Sequence, residues 1–167
     1  MTLIDDKWAQ IQWIGPPFDA GAGPNEGPNP DGRGASRDYQ HGTIYWSPGT
    51  GAMEVHGDIR VHYAQLGGSG GFLGYPVTDE LGCPDGVGRF NHFEGGSIYW
   101  TPRTGAKEVH GAIRDLWSSM GWERCFLGYP TTDETGTSDG RQSRFEHGHI
   151  SWTPTGGALA HRSVLID

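Results

Sequence analysis

The 167-residue chain has few charged residues, only two cysteines and no long apolar run. Charged side chains make up 19% of the residues, and acidic ones outnumber basic ones, which gives a formal net charge of −8. An acidic chain offers no basic surface for nucleic acid or anionic lipid. No apolar segment approaches the roughly 20 residues of a membrane-spanning helix. We therefore expect neither a nucleic-acid partner nor a membrane span.

The two cysteines, Cys83 and Cys125, match neither a zinc-binding pattern nor the framework of a disulfide-rich domain. Their number leaves open whether they pair, and it says little about the compartment. The first six residues lack the basic start and apolar stretch of a secretory signal peptide. A cytoplasmic location therefore stays open on these residues alone.

Glycine and proline are abundant, with 29 and 11 residues respectively. A chain so rich in turn formers does not build a helix bundle, and this content is close to that of disordered segments. Aromatic residues nevertheless reach 11%, including seven tryptophans, and supply material for a core. The composition predicts many short strands joined by tight turns.

Internal repetition is the clearest feature of the sequence. The phrase Gly-x-Ile-Tyr-Trp or Gly-x-Ile-Ser-Trp occurs at 42–46, 96–100 and 148–152. A second phrase, Leu-Gly-Tyr-Pro followed by Thr-Asp-Glu, occurs at 73–80 and 127–134. The spacing between copies is nearly constant, so the chain contains three copies of one unit.

The second unit predicts a three-stranded meander. Strands are expected at 97–101 and 106–110, joined by a turn that contains proline and glycine, and the segment 89–93 is expected to precede them as a third strand. Short strands and tight turns in each unit predict an all-β fold.

A short helix at the periphery of the fold is expected after each meander. Ile113, Trp117 and Met120 lie at positions i, i+4 and i+7, and Gly121 stands where a C-terminal cap belongs. The same spacing occurs in two further triplets: Ile59, Tyr63 and Leu66, and Ile4, Trp8 and Ile11.

The two ends of the chain look complementary, because it starts with the helix of a unit and stops at 164–166, where another helix would begin. This predicts one repeat domain over 1–167, closed around an axis, propeller-like or alternatively trefoil-like. Its units would span about 13–67, 68–121 and 122–167, the last completed by 1–12.

The run Leu-Gly-Tyr-Pro-x-Thr-Asp-Glu, an Asp-Gly turn and Gly-x-Ile-Tyr-Trp-x-Pro-x-Thr-Gly-Ala resembles the LGFP repeat family. The resemblance covers nearly the whole chain and is best over about 72–121. Such repeats occur in actinobacterial cell-envelope proteins, attached for instance to mycolyltransferases and peptidoglycan-cleaving enzymes. The resemblance implies an extracellular or cell-wall-associated module that binds or anchors and does not catalyse. The first unit departs from the pattern at 14–17, and a long loop is expected at 19–34.

Alternation along the strands predicts which side chains point outward. If Ile98, Trp100 and Val109 face the core, then Tyr99 and its partners face solvent. The resulting candidate site for a cell-wall or other glycan has six residues: Tyr45, Glu54, His56, Tyr99, Glu108 and His110. Tyrosine would stack on a sugar ring, and glutamate and histidine would form hydrogen bonds. The structural alternative is a set of cross-strand pairs that only stabilise the hairpins.

The third unit has Ser151 and Ala160 in place of the tyrosine and glutamate, and it is expected not to bind. His56, His110 and His161 are one histidine from each unit, but the third is out of step by one residue, and we expect no metal site.

No segment matches a nucleophile elbow, a phosphate-binding glycine loop or a general acid and base pair. The adjacent carboxylates of Asp79-Glu80 and Asp133-Glu134 are interpreted as structural capping segments, in which Thr78 or Asp79 accepts backbone N–H groups. We therefore expect no enzyme activity and no cofactor. The alternative to a glycan-binding module is a structural protein that assembles through its repeats, including as a homo-oligomer.

Overall fold

Short helices and antiparallel sheets alternate along the chain in the computed structural model, which describes residues 2–18 and 29–163. Within those residues there are three α-helices: α1 (Leu3–Gln10), α2 (Gly57–Gln65) and α3 (Gly111–Met120). Each is followed by a single turn of 3₁₀ helix. The described part of the chain is thus mostly β with short helices, as the composition predicts.

The strands form three meanders, one in each unit. Sheet 1 contains β1 (Ala35–Tyr39), β2 (Gly42–Ser47) and β3 (Gly51–Val55), in that order. Sheet 2 contains β4 (Leu81–Gly82), β5 (Arg89–Phe93), β6 (Gly96–Thr101) and β7 (Gly105–His110). Sheet 3 contains β8 (Thr135–Gly136), β9 (Arg141–Phe145), β10 (Gly148–Thr153) and β11 (Gly157–Arg162). The meander predicted for the second unit is confirmed.

The helix predicted after β7 is also confirmed. Ile113 and Trp117 lie four positions apart, so they share one side of α3, and both are buried. Gly121 then adopts a left-handed conformation with φ of 112°, which ends the helix and which a residue with a Cβ atom rarely adopts.

Helix α2 covers one face of sheet 2. Ile98 and the half-buried Trp100 of β6 pack in one cluster with Ile59 and Tyr63 of α2. The helix that follows one meander in sequence therefore fills the core of the next, so α2 is not peripheral as predicted, because sheets on both sides bury it.

The opposite face of sheet 2 is covered by α3. Tyr99 and Val109 pack with Ile113 and Trp117, and Tyr99 is only 2% exposed. The prediction that Tyr99 faces solvent is therefore wrong. The physical reason is that this sheet has a helix on both faces, so alternation separates two interior faces instead of an interior and a solvated one.

The same correction applies to Tyr45. Its ring is half-buried and lies edge-on to the ring of Tyr63 in α2, at 5.3 Å between centroids, and near the ring of Tyr75 at 6.5 Å. Burial raises the pKa of the Tyr45 hydroxyl. Tyr45 is thus part of the contact between neighbouring units.

The predicted closure of the chain into a ring is not confirmed. Helix α1 packs on β2 and β3, and Ile4 is buried with Ile14 and Ile44 of the first unit. The apolar face of sheet 3 is covered by α3 instead. The described elements therefore form an open row in which helices and sheets alternate, and residues 1–12 complete the first unit rather than the third.

Two sequence predictions lie partly or entirely outside the described residues. Of the long loop expected at 19–34, the structure describes only residues 29–34. The apolar segment 164–166 lies entirely outside the described residues. Among the described helices, the longest has ten residues, and none is both long and apolar enough to cross a bilayer.

Replacing Ile4 with alanine tests the open row. The change removes a fully buried side chain between α1 and sheet 1, and we expect a loss of about 2–5 kcal/mol in the free energy of unfolding. Relative to the unchanged protein, native-state hydrogen exchange should then show a larger loss of protection in β2 and β3 than in β10 and β11. A larger loss in β10 and β11 would instead support the closed ring.

Candidate functional site

The Thr-Asp-Glu segment of one unit docks on the edge strand of the unit before it. Asp79 accepts a hydrogen bond through Oδ1 from the backbone N–H of Glu54 in β3, at 3.0 Å. In return, Oε1 of Glu54 accepts one from the backbone N–H of Glu80, at 2.9 Å. Asp79 therefore caps a backbone N–H, as interpreted from the sequence, but the N–H group belongs to the neighbouring unit.

The second junction repeats this pair of hydrogen bonds. Asp133 accepts from the backbone N–H of Glu108 in β7 at 2.9 Å, and Glu108 accepts from the backbone N–H of Glu134 at 2.8 Å. Two reciprocal hydrogen bonds thus join the glutamate of one unit to the Asp-Glu pair of the next unit at each junction.

A histidine lies between the two glutamates of the first junction. Nδ1 of His56 is 2.7 Å from Oε2 of Glu54, and Nε2 is 3.0 Å from Oε2 of Glu80. The two carboxylates are nearly inaccessible, with side chains 3% and 8% exposed. Hydrogen bonds to Glu54 and then Glu80 raise the pKa of His56 from 6.5 to about 9. The imidazole is therefore protonated at neutral pH.

An arginine completes each network. In the first junction Nε of Arg89 donates to Glu80 at 3.0 Å. In the second, Nδ1 of His110 is 2.6 Å from Glu108, and Arg141 donates to Glu134 at 2.8 Å. The hydrogen bond to Glu108 also raises the pKa of His110.

Exposed aromatic rings lie on these histidines. The ring of Trp13 meets the ring of His56 at 4.8 Å between centroids, and the ring of Phe72 meets that of His110 at 4.7 Å. Trp13 is 52% exposed and Phe72 is 49% exposed. Sequence reasoning missed both residues. The available signal is that each unit carries an aromatic residue directly before its Ile-Gly or Leu-Gly pair, and Phe126 is the third.

The third unit uses the same contact differently. Phe126 lies under the guanidinium of Arg162, which is 4.3 Å from the ring centroid. Arg162 stands at the position of the histidine, because it pairs with Gly148 just as His110 pairs with Gly96. Ala160 stands at the position of the glutamate, because it pairs with Ile150 just as Glu108 pairs with Ile98. The described residues therefore form this network at two junctions.

The first junction opens into two neighbouring grooves. One, of about 360 Å³, is bordered by Trp13, and the other, of about 300 Å³, is bordered by Trp100. His56, Glu80 and Arg89 line both of them. A charged centre therefore lies between two indole rings.

The register of the hairpin explains which predicted site residues come together. Ile98 lies directly opposite Glu108, whereas Tyr99 lies opposite Lys107. Side chains of opposed residues share a face, so Glu108 belongs with Ile98 and not with Tyr99. The junctions therefore contain four of the six predicted site residues: Glu54, His56, Glu108 and His110. Tyr45 and Tyr99 lie on the other face of their sheets from these residues.

The Leu-Gly-Tyr-Pro segments add a second contact between units. The hydroxyl of Tyr75 donates to Asp31 at 2.8 Å, and that of Tyr129 donates to Asp85 at 2.7 Å. Both aspartates belong to the Asp-Gly turn of the preceding unit. Gly74 has a φ of 69°, and a Cβ atom there would lie 2.6 Å from Oε1 of Glu94. Only glycine fits this turn without a shift of the glutamate.

The three histidines considered as metal ligands do not converge. His56 and His110 lie in separate junctions, and His161 stacks on His149 in sheet 3. Over residues 2–18 and 29–163 no group of three His, Cys, Asp or Glu side chains could hold a metal ion. Cys83 and Cys125 are both free thiols.

Comparison with known proteins gives one family. The model of the LGFP repeat matches the chain three times, over residues 24–71, 73–124 and 127–165. These matches cover most of the sequence. The comparison with curated proteins found no match.

Replacing Tyr99 with alanine tests its place in the core. We expect the free energy of unfolding to fall by about 3–5 kcal/mol, as for other buried aromatic residues. Tyr99→Phe, which keeps the ring, and Ser151→Ala, at the equivalent position on sheet 3, should each change it little. Chemical denaturation measures all three. Equal stabilities of Tyr99→Ala and Ser151→Ala would show that Tyr99 does not support the core.

The raised pKa of His56 predicts a loss of stability in alkaline solution. Its favourable contribution is complete below the unfolded pKa of about 6.5 and is lost as the pH rises through about 9. The melting temperature should therefore fall between pH 6.5 and 9.5, by an amount that corresponds to roughly 1–3 kcal/mol.

The variant His56→Gln should reduce this pH dependence by the share that His56 contributes, while His110, whose pKa is also raised, keeps its own share. His147→Gln, which changes an exposed histidine on the turn before β10, is the control and should keep the whole pH dependence. A pH profile that is the same in all three proteins would contradict the assignment.

Proposed function

The chain belongs to the LGFP repeat family, and we propose that it is a non-enzymatic module that binds a cell-wall or other glycan at the junctions between its units. Its location would then be extracellular or associated with the cell wall. The observation that carries the proposal is the exposed Trp13 ring beside the charged centre of the first junction.

The groove combines the two features that sugar recognition requires. The flat face of an indole packs against the C–H groups of a pyranose ring. Arg89 supplies N–H donors, since only its Nε is used by Glu80 and its side chain is 43% exposed. The Trp100 ring offers a second aromatic surface on the far side of the same centre.

The absence of catalysis in this proposal rests on how the carboxylates are used. Glu54 and Glu108 are buried, and each accepts a backbone N–H and contacts a histidine. A carboxylate held in this way stabilises the junction and is poorly placed to exchange protons with a substrate.

Two junctions in one chain favour a polymeric ligand. The second junction repeats the charged network with Phe72 in place of Trp13, whereas in the third unit Phe126 is covered by Arg162. Two weak sites on one chain gain through avidity on a long glycan but not on a short oligosaccharide.

The variant Trp13→Ala tests the proposal in a sedimentation assay with insoluble cell-wall polysaccharide. Loss of one stacking surface should weaken binding by about fivefold, which corresponds to about 1 kcal/mol. Trp13→Phe should retain most of the binding. Phe18→Ala removes an aromatic side chain that is 73% exposed but lies outside the two grooves, and it is the matched control.

Thermal melting should confirm that Trp13→Ala and Phe18→Ala are equally folded. If both variants bind as the unchanged protein does, or if both lose binding equally, the first junction is not the glycan site.

A further inference from the structure

The outer face of sheet 3 differs chemically from the equivalent faces of the other two sheets. At the position where sheet 1 has the opposed pair Thr43 and Val55, sheet 3 has His149 and His161. In sheet 1 this face packs against a helix, as Val55 does with α2. In sheet 3 the neighbouring Leu159 is 55% exposed, and His161 is exposed too. Within residues 2–18 and 29–163, these two side chains are therefore not covered by a helix.

The two imidazoles are direct neighbours. His149 in β10 and His161 in β11 are opposite each other in the register, and their rings stack with centroids 4.5 Å apart and planes at 17°. Opposed residues in antiparallel strands have Cβ atoms about 4.5–5.5 Å apart. That separation allows two imidazole nitrogens to reach one ion after a turn of the rings about their side-chain bonds.

We propose that His149 and His161 form a two-histidine site for a divalent transition-metal ion such as Cu²⁺, Ni²⁺ or Zn²⁺, with water at the remaining positions. Imidazole is a preferred ligand of these ions, and Cu²⁺ binds most tightly to a given set of nitrogen ligands. Two ligands leave coordination positions open for an external group. The site is separate from the junctions and does not depend on the glycan proposal.

Two neighbours tune the proposed site. Oγ of Ser151 lies 2.9 Å from Nε2 of His161 and orients that ring. Arg144 lies opposite His149 on β9, and its positive charge weakens the binding of a cation at this face. Removing that charge should therefore strengthen metal binding.

Isothermal titration with Cu²⁺ alone, in a buffer that does not chelate, tests the site. We expect one high-affinity Cu²⁺ per chain, and His149→Asn and His161→Asn should each weaken it by at least about tenfold. His147→Asn removes an exposed histidine just before β10 and should leave the affinity unchanged. Arg144→Gln should raise the affinity.

Electron paramagnetic resonance of the Cu²⁺ complex gives a second measurement. The unchanged protein should show two equatorial nitrogens from imidazole, and each of the two site variants should show one. The proposal is overturned if His147→Asn loses as much affinity as the site variants, or if His149→Asn and His161→Asn bind Cu²⁺ as the unchanged protein does.

Discussion

The fold depends on one constraint: the first two sheets each have two apolar faces, and both faces have to be covered by helices. Sheet 2 uses Ile98 on one face and Tyr99 on the other, against α2 and α3. Because α2 lies between sheet 1 and sheet 2, it belongs to the cores of both. A unit therefore cannot bury its surface alone, and stability arises from contacts between neighbours, as in other linear repeat proteins. In the part of the chain that the structure describes, the outer face of sheet 3 is exposed, and polar residues such as Ser151 suit an exposed sheet face.

The candidate site follows from this arrangement because it exists only where two units meet. Glu54 comes from one unit and Glu80 from the next, and His56 holds the two carboxylates together. The protonated imidazole compensates two acidic groups that are almost inaccessible to water, a combination that would be unfavourable without the histidine. Trp13 then covers the histidine and presents its own ring to solvent.

The sequence was sufficient for the elements and the family, but not for the register or the order of packing. The spacing of Ile113 and Trp117 predicts a helix because it places both side chains on one helix face, and this depends only on the local sequence. The face of Glu108 depends on its pairing with Ile98, and a shift of one residue in that pairing reverses every side chain. Which sheet α1 covers is a property of long-range packing that complementary chain ends do not determine. Trp13 is recognisable only after alignment with Phe72, because the motif around it is incomplete in the first unit.

The hydroxyl bonds from Tyr75 to Asp31 and from Tyr129 to Asp85 also have a mechanical meaning. Both connect one unit to the turn of the unit before it, in addition to the hydrogen bonds between the glutamate and the Asp-Glu pair at each junction. A pulling force along the row would therefore load hydrogen bonds and ion pairs at each junction together, in parallel, while the successive junctions carry the same load in series. Extension would then begin at the weakest junction, and the sheets would remain folded until that junction had opened.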